Sequence, residues 1–192
     1  EIPANEFLNL EGKKFSTSRN YAVWLGDIAR DYNPEYVRYY LTTCIPETAD
    51  ANFYWKEFQS RSNDLCDTIW NLLSRTVTLI IKYMNGQPLQ NIELTWAAQE
   101  LFTNIKTISD SVALSTETYH FRDWVQSAVE SFKLINWFIA QAAPRETAKS
   151  NPDQAAYDLS VVAHAIVHAA SILAPYLPET SRQLITLFTW SD

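Results

Sequence analysis

The sequence is poor in the residues that bend a chain, bridge it or make it cationic. Among 192 residues there are only 3 Gly. That is too few for a turn-rich β fold, and none of them forms a Gly-rich phosphate loop. The 2 cysteines, Cys44 and Cys66, make no C-x-x-C pair, so a zinc knuckle is not expected and free thiols are. No apolar run reaches the length of a membrane span. The opening Glu1-Ile2-Pro3-Ala4-Asn5-Glu6-Phe7 has no basic stretch or apolar core, so it is not a signal peptide. It also lacks an initiator Met and reads as a piece of a longer or trimmed chain. Free thiols without a leader point to the reducing cytoplasm. Cations are in deficit as well: 15 Lys and Arg face 22 Asp and Glu, a net charge of −7. That balance disfavours indiscriminate nucleic-acid binding but leaves room for a local basic patch that reads bases. His164 and His168 stand four apart, but Ala165 occupies the position where H-E-x-x-H needs Glu, and no third ligand follows. We therefore expect no metal in this chain, and we find no Ser/His/Asp or Cys/His nucleophile.

What the chain has is helical periodicity. Hydrophobic residues make up 47 per cent, with 7 Trp, 10 Tyr and 9 Phe. The central stretch runs from Leu65 to Tyr83. Leu65, Ile69, Leu72, Leu73, Leu79 and Ile80 fall at three- and four-residue steps, the stripe of an amphipathic helix. The surrounding pattern predicts an extended piece over residues 5–10 and a turn at Glu11-Gly12. A short helix is predicted over Tyr21–Ala29, and a second opened by Asn33-Pro34-Glu35, where Asn caps and Pro suits the first position. A long helix is expected from about Asn52 to Tyr83, stopped by Asn85-Gly86. Further helices are expected at Trp96–Val112, Phe121–Ala142, Pro152–Ala174 and Glu179–Phe188. The intervening residues 115–120 and 143–151 read as connections. The Ala- and Val-rich helix after Asn151 should lie at the centre. The expected fold is therefore mainly α, a helical bundle behind a small mixed N-terminal segment.

Two groups of residues carry chemistry. From Lys13 to Arg19 the chain packs three cations and three hydroxyls, able to donate to phosphate oxygens. On the central helix Asp67, Asn71 and Arg75 align four apart, and an Asn with an Arg can read the edges of an unstacked base.

These residues also resemble a known family. Lys14-Phe15-Ser16-Thr17-Ser18-Arg19-Asn20 resembles the second signature motif of class I aminoacyl-tRNA synthetases, K-M-S-K-S. Its K-F-S-T-S form is similar to one branch of methionyl-tRNA synthetases. The stretches Pro34–Leu41, Asn71-Leu72-Leu73-Ser74-Arg75, Asn136–Ile139 with Ala143-Pro144, and Leu173–Pro178 resemble that family's C-terminal segments, in order along nearly the whole chain. The resemblance implies a class Ia anticodon-binding bundle at residues 51–192. Residues 1–50 would be the stem-contact end of a catalytic core. It implies ATP contacts by Lys14, Ser16, Thr17 and Ser18, and anticodon contacts by Asp67, Asn71, Arg75, Pro144 and Arg145. The implied partner is a methionine tRNA with a CAU anticodon, alongside a catalytic domain or other protein. Thr17 replaces the usual second Lys, Asp67 an Asn, and Arg145 a Trp that stacks on a base. The H-I-G-H motif and the nucleotide-binding unit are absent from these residues, so the chain alone should not activate an amino acid, and ATP would act only with the catalytic domain. The alternative is a stand-alone relative that binds tRNA, another RNA or a protein without catalysis.

Overall fold

The computed structural model describes residues 4–188. Strand β1 (Leu8–Leu10) ends in a tight turn in which Glu11 and Gly12 both take positive φ, 48° and 73°. Helix α1 covers Leu25–Asp31, later than the expected Tyr21–Ala29. Residues 16–21 are already committed to a hairpin, Ser16 and Tyr21 exchanging both backbone hydrogen bonds at 2.8 Å, and the Tyr21 hydroxyl donates to Leu10 O. Helix α2 (Pro34–Thr43) begins as read from the sequence: Asn33 Oδ1 accepts from Glu35 N at 2.9 Å and Pro34 fills the first position. Strand β2 (Ala51–Phe53) pairs in parallel with β1, Leu8 opposite Ala51. No local pattern marked β2, because its pairing partner lies 43 residues earlier.

Helix α3 (Trp55–Met84) is the longest element at 30 residues, and Asn85 and Gly86 close it with left-handed backbones, φ 52° and 83°. Helix α4 (Trp96–Glu117) runs past the expected Val112 and is capped by Thr95. Helix α5 spans Phe121–Ala142, as expected. The expected connection at residues 143–151 is instead mostly a seven-residue helix, α6 (Pro144–Ser150). Ala143 turns the chain at φ 42°, Pro144 is preset for a first helical turn, and α6 packs against α7 (Pro152–Leu173), which supplies the tertiary contact that no local pattern displays. Helix α8 (Pro178–Phe188) completes the bundle.

Helix α7 is central, packed against α3, α4, α5, α6 and α8. Its Ala155, Ala163, Ala165, Ala169 and Ala170 are fully or almost fully buried, and small side chains let neighbouring helices approach closely. It is long and apolar enough to cross a membrane, but most of that surface faces the bundle interior, as in a core helix of a packed domain. A second, smaller core of Leu10, Ile28, Val37, Tyr40, Phe53 and Phe58 underlies the N-terminal segment. Polar bonds tie the two cores together. The buried Glu35 carboxylate accepts from Glu179 N (2.6 Å), Thr180 N (3.1 Å) and Thr180 Oγ1, so it caps α8 from a distance of 144 residues in sequence. Arg38 donates to Tyr176 O, and Arg122 on α5 donates to Ile45 O. Cys44 and Cys66 are free, with burial pushing the Cys44 thiol up to about 11.

Candidate functional site

The outer face of α3 and the end of α5 form a groove of about 680 Å³. Helix α3 contributes Asn71, Ser74, Arg75, Thr78 and Lys82, which recur along one face of the helix. Helix α5 contributes Ile139 and Ala140 as an apolar wall. The left-handed turn at Ala143 then swings α6 across the end of the groove, burying Pro144 and leaving Arg145 and Glu146 at its edge. The fold thus brings Asn71 and Arg75 together with Pro144 and Arg145, a pair far away from them in sequence. Three cations, Arg75, Lys82 and Arg145, face one carboxylate there. That carboxylate, Glu146, is engaged by Lys149, whose hydrogen bond and charge hold it below the usual range. The groove is therefore locally cationic on a chain that is acidic as a whole, which is the condition for drawing in a phosphate backbone.

Asp67 lies elsewhere. It lines a neighbouring recess of about 670 Å³ between α2, α3 and α5, with Glu57, Arg61, Asp64 and Lys133. Its place on the same α3 face as Asn71 was legible, but the bundle divides that face into two recesses.

Asn136 on α5 bonds to α3 at two points, Arg75 and Thr68. Its Oδ1 accepts from Arg75 Nη2 at 3.3 Å, while its Nδ2 donates to Thr68 O at 2.9 Å and Phe132 O at 3.1 Å. The sequence reading assigned Asn136 no role of its own. Lys82 was missed too, although it continues the Asn71–Arg75 spacing by two further turns.

The loop at residues 13–21 is a compact, exposed hairpin. Lys14 Nζ sits 4.5 Å above the Phe7 ring. Arg19 Nε donates to Ser16 Oγ at 3.1 Å, and Ser16 and Ser18 hydroxyls lie 3.3 Å apart. Lys14, Ser16, Thr17 and Ser18 therefore share one turn, with donors open to an anionic ligand.

Another cavity, about 890 Å³, lies between residues 90–94, α4 and α7 and includes His164 and His168. Here His164 Nε2 bonds Leu89 O at 2.9 Å and His168 meets the edge of Phe102, so both rings hold structure together. Among the described residues no group of three or more His, Cys, Asp or Glu side chains converges as a metal site.

A hairpin loop of this composition, carried on a small mixed segment ahead of a helical bundle, can be compared with known proteins. Residues 1–77 match the family described as tRNA synthetases class I (M). Over 96 per cent of its length the chain is 33 per cent identical to a methionine–tRNA ligase of Thermococcus onnurineus, covering 25 per cent of that protein. Over its full length it is 36 per cent identical to the methionine–tRNA ligase of Flavobacterium johnsoniae, covering 27 per cent of it. The fold is shared with Mycobacterium tuberculosis methionyl-tRNA synthetase, solved in complex with methionyl-adenylate, at a TM-score of 0.86 and 21 per cent identity, across 95 per cent of this chain and 37 per cent of that one. The chain is similar to the C-terminal region of methionyl-tRNA synthetases, and it spans about a quarter of the length of the curated relatives it matches.

Proposed function

We propose that this chain is the anticodon-binding portion of a methionyl-tRNA synthetase, reading a CAU anticodon in the α3/α5/α6 groove and supporting ATP-dependent charging of tRNA with methionine when joined to a catalytic domain. The observation that carries this reading is the convergence of Asn71, Arg75, Pro144 and Arg145 on one locally cationic groove. Asn71 and Arg75 supply donors and an acceptor for base edges. The Arg145 guanidinium supplies a flat, charged face on which a base can stack. Asp67, one recess away, repels a phosphate that strays along α3 and marks the end of the reading surface. In the hairpin, Lys14 with the hydroxyls of Ser16, Thr17 and Ser18 closes on the ATP phosphates; donors placed there would meet the charge that develops as pyrophosphate leaves. The ATP step belongs to the catalytic domain, and this segment contributes the loop. We assign residues 1–50 to the end of the catalytic core and residues 51–192 to the anticodon-binding bundle. Titration with methionine tRNA, and with the same tRNA carrying a changed anticodon, at low and physiological salt tests the reading. Preference for CAU at both salts is expected; equal binding to the two tRNAs refutes it and leaves a non-catalytic RNA or protein binder.

A further inference from the structure

The groove side chains are long and exposed, and an Arg free to rotate would lose much of its selectivity as a reader. Asn136 removes that freedom. An amide has two donors and one acceptor oxygen, and here both donors are consumed: Nδ2 bonds Thr68 O on α3 and Phe132 O on its own helix. These two carbonyls set the sense of the amide, since flipping it would press Oδ1 against both of them. The oxygen is thereby left pointing at α3, where it accepts from Arg75 Nη2 at 3.3 Å. Only a donor satisfies it there, so the α5 amide selects one orientation of the Arg75 fork. Asn136 also staples α5 to α3 through Thr68 O, so the guanidinium is referenced to both walls of the groove.

We infer, resting on the anticodon-binding reading, that Asn136 is a positioning residue for base recognition: it holds the Arg75 guanidinium in register with the anticodon and touches no base itself. Pre-orienting one planar donor set lowers the ordering cost of binding and raises the penalty for a wrong base edge. Its effect should therefore fall on discrimination between anticodons more than on affinity for tRNA backbone, and it should pass entirely through Arg75.

Two measurements test this. In the free protein, nitrogen-edited NMR of the Arg75 guanidinium should show restricted rotation about its Nε–Cζ bond, lost in both Asn136→Ala and Asn136→Leu; the Leu variant fills the volume, so a folded protein is retained for the comparison. In tRNA titrations, Asn136→Leu should lower the preference for CAU over a changed anticodon by about three- to tenfold, and should lower it no further in an Arg75→Ala background. An unchanged Arg75 signal in both variants overturns the proposal, as does a loss of preference that persists undiminished in the Arg75→Ala background. If the Arg75 signal responds but the unsubstituted chain shows no anticodon preference, the positioning bond stands and the anticodon reading falls.

Discussion

Single side chains decide what the groove can distinguish. Arg75→Ala should weaken tRNA binding by about 1–3 kcal/mol and relax anticodon preference, the range of one good bidentate base contact; filter-binding with cognate and altered tRNAs reads both. Arg145→Trp should tighten binding to a CAU anticodon by about 1 kcal/mol or more, because an indole adds stacking area that a guanidinium lacks. No change in affinity would place residue 145 away from the bound bases. Lys14→Ala should leave tRNA affinity nearly unchanged, since Lys14 sits on the hairpin beside Phe7 and not in the groove. At this scale the sequence was informative where the spacing was local. Asn71 and Arg75 share a face because they are one turn apart, and the structure keeps them together. Asp67 shares that spacing yet lines a different recess, with Arg61, Asp64 and Lys133.

At the scale of elements, the caps were legible and the long-range pairings were not. Asn33, Thr95 and Asn151 each accept from a backbone amide at a helix start. Asn33→Ala should therefore cost about 1 kcal/mol of stability in a denaturant titration. Glu35 stands in the first turn of its own helix, but its carboxylate serves α8. Glu35→Ala should cost about 3 kcal/mol, because two amides and a hydroxyl lose a charged acceptor in a buried place. Hydrogen exchange should then rise first in α8. Strand β2 and helix α6 escaped the sequence for one reason: both are short, and each is held by a partner distant in sequence, β1 for the strand and α7 for the helix.

At the scale of the whole molecule, burial sets the pH response. Asp158 on α7 is buried and accepts from Gln154 Nε2, and desolvation raises its pKa above the ordinary carboxylate value. A folded-state pKa above the unfolded one means the folded chain holds the proton more tightly. The stabilisation is complete below the ordinary value and is lost as pH rises through the raised one. Asp158→Asn, which keeps the oxygen that Gln154 binds, should therefore raise the melting temperature at neutral pH and have less effect in mildly acidic solution; an equal shift at both pH values would contradict this. The sequence by itself determined the helical class, the central place of the Ala-rich helix, most helix ends and the residues that face one way on α3, because these follow from periodicity and capping within a few turns. Only the tertiary structure decided that α6 folds across the groove, that Asn136 orients Arg75, that Asp67 is set apart and that Glu35 caps α8. Each of those joins residues separated by tens to more than a hundred positions, a distance over which side-chain pattern carries no register and only packing brings the partners together.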